Sequence, residues 1–248
     1  MAVLNSCPGL EVKVIANKNA LPEYADSPET DEQNTVTKFV EVDRDGAFQV
    51  HFQFTDAYTC RHGVRVELRL DGHKVDSCLY RQNQLKKGTG HTLAGARSKI
   101  RGRWHVSNFQ FSQFVLDLNS RQELDQATLK RLKCTGVITV LIHRIKNIRN
   151  PRRSLHSTSD KPHGITKFER VPEKAVKDLG LSHHGRYFSF PPLLPWVLRS
   201  SSVARPKQEK PGVRSLSCSY VDGTEDKHAI AIFNFKYRSL GEPRRSVH

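Results

Sequence analysis

Basic residues gather in two stretches from which acids are missing. Between Asp76 and Asp117 the chain has no Asp or Glu and carries Arg81, Lys86, Lys87, Arg97, Lys99, Arg101 and Arg103, ending against Trp104. Between Asp125 and Asp160 it again has none, and carries Lys130, Arg131, Lys133, Arg144, Lys146, Arg149, Arg152 and Arg153. Cations beside an aromatic ring are what a surface needs to follow a phosphate backbone and stack on bases. The candidate anion, nucleic-acid or partner surface is therefore Arg97, Lys99, Arg101, Arg103 and Trp104, joined by Arg149, Arg152 and Arg153. Arg149–Arg153 equally suits a nuclear-import patch.

The charge is uneven over the whole chain. Its 248 residues carry a net +15, yet the first 60 hold four Lys/Arg against ten Asp/Glu, a net of −6, which leaves +21 on the rest. Such asymmetry points to an acidic partner, nucleic acid or another protein. Nucleophile and phosphate-loop motifs are absent: there is no Gly-x-Ser-x-Gly, no Gly-x-x-x-x-Gly-Lys and no Gly-x-Gly-x-x-Gly. Gly88-Thr89-Gly90 reads as a loop, and the adjacent His183 and His184 diverge rather than converge on a metal. No catalytic residue, cofactor or metal ligand is assigned.

The five cysteines, Cys7, Cys60, Cys78, Cys134 and Cys218, are odd in number and never in Cys-x-x-Cys spacing, so neither a disulfide framework nor a zinc site is expected. The first residues lack the charged and apolar regions of a signal peptide, and no run approaches the roughly 18 apolar residues of a membrane span. The expected setting is intracellular, cytoplasm or nucleus, with reduced thiols and no membrane. The expected function is a non-enzymatic binding or interaction module. Nucleic-acid binding through 81–103 and 130–153 is the alternative, and an enzyme with an unrecognised site is the second.

These residues need a scaffold, and the apolar pattern supplies strands. Phe109 and Phe111 alternate with polar residues, and Phe114, Leu116 and Leu118 alternate one register over, which predicts a core strand with a bulge or bend between the halves. The boundary between core and candidate surface falls near Val106. Leu10, Val12 and Val14 predict a first strand, and Thr35–Asp43 a second. Asp45-Gly46 predicts a hairpin from that second strand into Phe48, Val50, Phe52 and Phe54. Val64–Leu70 and Val75, Ser77 and Leu79 predict another about Asp71-Gly72, with Arg65, Glu67 and Arg69 outward.

Residues 82–98 read as a flexible loop. Ser120 and Glu123 have capping-box spacing ahead of a thin apolar stripe at Leu124, Leu129 and Leu132, and Pro172–Gly180 suits a second short helix. Val137–Ile145 reads as a strand covered on both faces, and Ile230–Tyr237 as a final one. Hairpin connections favour antiparallel pairing. The expected fold is mainly β, an antiparallel, jelly-roll-like β-sandwich with two short helices and a long irregular insertion. The core occupies 1–145, a basic, Pro-rich linker or insertion 146–226, the returning strand 227–240 and a disordered tail 241–248.

A set of short motifs occurs in order. It comprises Pro8-Gly9-Leu10-Glu11-Val12, Leu21-Pro22-Glu23-Tyr24, Leu70-Asp71-Gly72, Ala96-Arg97, Gly102-Arg103-Trp104, Gly136-Val137-Ile138-Thr139-Val140, Pro172-Glu173-Lys174-Ala175 and Phe233–Ser239. In these the chain resembles a family of fungal proteins that share a domain of unknown function. The resemblance implies a fungal, intracellular, β-rich domain and brings no activity or catalytic residue with it. The apolar, proline-broken Phe188–Arg205 run departs from the polar linker of that pattern.

Overall fold

The computed structural model describes residues 1–25, 34–42, 46–85, 88–100, 103–113, 116–117, 126–149, 171–172, 183–187, 207–208, 217–221 and 229–239. From the N-terminus come β1 (Ala2–Val3), β2 (Leu10–Ala16), β3 (Asn19–Ala20), β4 (Glu23–Ala25), β5 (Thr35–Val42) and β6 (Gly46–Phe54). There follow β7 (Gly63–Leu70), β8 (His73–Tyr80), a 3-10 turn at Gln82–Gln84, β9 (Thr89–Leu93), β10 (Gly95–Ile100), β11 (Arg103–Gln113) and β12 (Leu116–Asp117). The rest is α1 (Gln126–Lys133), β13 (Val137–Arg149), β14 (Val171–Pro172), β15 (His183–Tyr187), β16 (Lys207–Gln208), β17 (Ser217–Tyr220) and β18 (Ala231–Ser239).

The protein is mainly β, and its strands form two large sheets. The first runs β1-β2-β6-β11-β10, with β3, β9, β15 and β16 attached. The second runs β4-β5-β18-β13-β7-β8, with β17 on β13, and β12 and β14 make a separate two-stranded ribbon. Alternation in the sequence decides which side of each sheet is buried. Leu10, Val12 and Val14 of β2 and Phe48, Val50, Phe52 and Phe54 of β6 join one apolar cluster with Val64, Val66, Leu68 and Leu70 of β7 and Phe233 and Phe235 of β18. Rings bridge the two sheets: Phe52 lies edge-on to Tyr80 at 5.8 Å, and Phe111 meets Tyr237 at 5.0 Å while stacking on Phe48 at 4.2 Å. Each fully buried phenylalanine contributes about 1.5–3 kcal/mol of transfer free energy.

Several expectations are corrected. The Asp45-Gly46 hairpin does not exist: β5 pairs with β4 and β18, whereas β6 pairs with β2, β9 and β11. The chain passes from one sheet to the other there, because non-local strands with matching apolar rows outcompete the local turn. Wholly antiparallel pairing fails too. Strands β5 and β18 pair in parallel over eight residues, as do β12 and β14 over two. The roughly 190 residues between β5 and β18 supply the long crossover a parallel pair requires.

Residues 82–98 hold the 3-10 turn, β9 and most of β10 rather than a loop. Gly95 marks a close approach: a Cβ there would sit 2.5 Å from the Ser107 carbonyl oxygen across the β10–β11 ladder. Among the described residues one α-helix is found. The described residues hold α1, Pro172 lies in strand β14, and both the Ser120–Glu123 capping box and residues 173–180 fall outside the described residues. Phe114 also falls outside them, and the β11 strand ends at Gln113. Within 146–226, β15 and β16 pair with β11 and β17 with β13, and the 241–248 tail lies outside the described residues.

The β7–β8 hairpin forms about Asp71 and Gly72, both at positive φ (50° and 77°). Asp76 pairs with Leu68 and Lys74 with Arg69, so Val75 is an extra residue at a bulge, and Tyr80 rather than Leu79 is buried. The Asp71 carboxylate is 6 % exposed and accepts hydrogen bonds from the Gly136 amide (2.8 Å) and the Tyr237 hydroxyl (2.8 Å), tying this turn to β13 and β18. Glu67, expected outward and solvated, is 2 % exposed. Arg69 Nε (2.8 Å), Lys74 Nζ (2.7 Å) and Arg65 (3.1 Å) surround it, and Arg65 also donates to the Tyr220 hydroxyl. Burial would raise its pKa, but hydrogen bonds and charge from Lys74 and Arg69 outweigh that and hold the carboxyl below its ordinary value.

Two predictions follow from these carboxylates. Asp71→Ala strands the Tyr237 hydroxyl and the Gly136 amide, so denaturant unfolding should show a loss of about 1–3 kcal/mol for each group left unsatisfied. A depressed carboxyl stabilises above its unfolded pKa and loses that contribution as pH falls through its folded value. Wild-type stability should therefore fall more steeply below about pH 4.5 than that of Glu67→Gln, and parallel curves would show that Glu67 is not the linked group.

Candidate functional site

Strand β11 is the spine of the candidate surface. Antiparallel pairing with β10 sets Arg97 opposite Val106 and Lys99 opposite Trp104. These positions alternate with Ala96 and Ser107, which are buried, and with Phe109 and Phe111 in the core. Val106 and the exposed Asn108 are the positions of β11 that alternate with these core residues, and Arg97 and Lys99 fall at the register positions opposite Val106 and Trp104.

Two further strands extend that row of positions. Lys207 of β16 pairs with Val106, and Arg186 of β15 pairs with Gln110. Arg97, Lys99, Arg186 and Lys207, drawn from three separated stretches of chain, therefore share one row of register positions with Trp104. No Asp or Glu occupies the paired positions Gly95–Asn108, Arg97–Val106–Lys207, Lys99–Trp104 and Gln110–Arg186. Nothing in the sequence near Trp104 signals Arg186 or Lys207, because only pairing to the free edge of β11 brings them there.

The other expected residues divide. Arg103 lies in β11 opposite Ile100, on the parity of the core-facing positions. Arg149 ends β13, is exposed and belongs to the second sheet, so it does not join the β11 row. Arg101, Arg152 and Arg153 lie outside the described residues. Among the described residues, the two basic stretches thus contribute strands to different sheets. Their division follows from strand membership.

A second feature lies where the ends of the two sheets meet. A cleft of about 480 Å³ is lined by Ser6, Cys7 and Pro8 before β2, Tyr58, Thr59 and Cys60 after β6, Asn34 before β5, Arg144 of β13, and Ala229 and Ile230 before β18. Its walls are tied together. The Thr55 amide donates to the Gly9 carbonyl (2.7 Å), the Tyr58 amide to Thr55 (3.0 Å), and the Asn34 side chain to the Ala229 carbonyl (2.9 Å). Gly9, at φ 80°, packs so tightly that a Cβ would fall 2.1 Å from the Tyr58 nitrogen.

Burial pushes the Cys7 thiol up to about 11, with Cys60 adding to the rise and Arg144 opposing it. Tyr58 is raised in the same way, first by burial and then by its cysteine neighbours. The Tyr58 hydroxyl is buried in the neighbourhood of the Cys60 thiol. The five cysteines are unbridged. Among the described residues no group of three or more His, Cys, Asp and Glu could hold a metal ion, and no helix is long and apolar enough to cross a membrane.

Comparison with curated proteins and with solved structures returns no match. A family described as Domain of unknown function (DUF7918) matches residues 9–195, which take in β2 through β15 and end before the β18 strand. With three quarters of its length matched, the chain belongs to the DUF7918 family.

Proposed function

We propose that this protein is a non-enzymatic binding module, a β-sandwich that holds nucleic acid against the outer side of the β10–β11 ribbon. The observation that carries the reading is the shared row of Arg97, Lys99, Arg186, Lys207 and Trp104 about β11. A sheet side carrying cations and an aromatic residue, with no acid at the paired positions, has the elements for tracking phosphates and stacking bases. The net charge of +15 assists encounter with any polyanion. Five unbridged cysteines accord with a reducing, intracellular setting.

Fluorescence anisotropy with single- and double-stranded oligonucleotides at about 50 and 200 mM salt tests the reading. Four phosphate-contacting cations should give a log–log salt slope of roughly −3 on single strands. Arg97→Glu with Lys99→Glu should weaken binding at least about tenfold and flatten the slope. Trp104→Ala should lower single-strand affinity by about 1–3 kcal/mol while leaving the slope unchanged. Absence of binding at the lower salt, indifference to salt, or affinity unmoved by the charge reversal would overturn it.

A further inference from the structure

Cys7 and Cys60, far apart in the chain, line the same cleft, the first beside Ser6 and Pro8 and the second beside Tyr58 and Thr59. The two segments touch through their backbones. A Cβ on Gly9 would fall 2.1 Å from the Tyr58 nitrogen and 2.6 Å from the Ala57 carbonyl carbon, and the Thr55 amide donates to the Gly9 carbonyl at 2.7 Å. Each cysteine lies two residues from this contact. Local bonds hold both segments: the Cys7 amide donates to the Leu4 carbonyl (3.0 Å), and the Tyr58 ring packs on Phe54 with centroids 4.8 Å apart. A charge on Cys60 is felt at Cys7, and the buried Tyr58 hydroxyl feels both thiols, so the three groups are neighbours. A disulfide spans Cα atoms up to about 7 Å apart, a separation that two-residue arms from one backbone contact can meet.

We propose that Cys7 and Cys60 are a redox pair that closes into a reversible disulfide when the protein meets a low-molecular-weight disulfide such as oxidised glutathione. Both are thiols in this structure. Their unequal burial orders the chemistry: Cys60 is partly exposed, whereas Cys7 is 5 % exposed. The Cys60 thiolate attacks one sulfur of glutathione disulfide, forming a mixed disulfide and releasing one glutathione, which takes up the proton Cys60 lost. Cys7 then gives up its proton and attacks the Cys60 sulfur. The protein disulfide forms, and the second glutathione leaves with that proton. The pair loses two electrons, and one glutathione disulfide becomes two glutathiones. Burial disfavours a thiolate at Cys7 and lifts its pKa to about 11, which makes Cys7 the closing thiol rather than the first to react. The finished disulfide places no charge there. It closes a loop that contains β2 to β6, strands drawn from both sheets, and joins two walls of the cleft.

The pair is separate from the β11 row and does not depend on it. Incubating the full chain in its native state with mixtures of reduced and oxidised glutathione, then blocking free thiols and digesting with trypsin, tests it. Mass spectrometry should find residues 1–13 linked to residues 45–61, the tryptic peptides that carry Cys7 and Cys60. Excess reduced glutathione should release them. Oxidation should raise the Tm by at least about 4 °C, because the bridge constrains the unfolded chain. Cys7→Ser and Cys60→Ser should each lose both the link and the rise, whereas Cys134→Ser, at an exposed thiol, should keep them. With Cys7→Ser the reaction should stop at glutathione on Cys60. In the wild type, closure from that mixed disulfide should keep accelerating above about pH 8.5, where an ordinary thiol is already half ionised. The peptide map of the wild type needs no variant to fold. Glutathione left on Cys60 without closure, a link that forms only in denaturant, or bridges to Cys78, Cys134 or Cys218 in its place would overturn the proposal.

Discussion

Strand β18 is held between β5 and β13, parallel to the first and antiparallel to the second. The second sheet cannot close until this strand, near the C-terminal end of the chain, arrives in its middle. Phe233 and Phe235 then fill the core, and the Tyr237 hydroxyl reaches the Asp71 carboxylate in the β7–β8 turn. That carboxylate also receives the Gly136 amide at the entrance to β13. One buried acceptor thus joins a hairpin turn, the start of a central strand and the last strand. Removing the Asp71 carboxylate takes one acceptor from two buried donors at once, and a buried donor left unsatisfied costs more than the net gain of an ordinary hydrogen bond.

The cleft inherits its geometry from this closure. Two walls of the cleft are the segments leading into β5 and β18, Asn34 and Ala229–Ile230, joined by a side-chain hydrogen bond. Arg144 also lines it, at the position of β13 that follows Ile138, Val140 and Ile142 in the same row. The β11 row depends on the other sheet. Phe109 and Phe111 anchor that strand in the core and stack on Phe48, which fixes the parity of Trp104 and its paired cations. A one-residue slip would exchange the core residues for the polar ones.

Part of this was legible in the residues. Period-2 alternation at Leu10–Val14, Phe48–Phe54, Val64–Leu70 and Phe233–Tyr237 marks strands with one buried side, because a strand alternates its side chains regardless of its partner. Asp71-Gly72 marks a hairpin because both residues tolerate positive φ. The same logic misleads at Asp45-Gly46, where the flanking strands enter different sheets. The bulge at Val75 moves burial from Leu79 to Tyr80, a one-residue change that propensity does not encode. The burial of Glu67 depends on three cations, two from its own strand and one across the hairpin, whose combined geometry emerges only once β7 and β8 are paired.

The sequence by itself determined the class of the molecule, mainly β, and which residues alternate into its interior. It also determined the excess of positive charge and the acid-free stretches around Trp104. Tertiary structure alone decided which strands are neighbours, because pairing is a contest among non-local partners that local pattern does not resolve. It divided the basic stretches between two sheets, brought Arg186 and Lys207 to the row of Arg97 and Lys99, and set Arg144 at the mouth of the core. A side chain's type can be read from its letter, but the company it keeps depends on segments more than a hundred residues away.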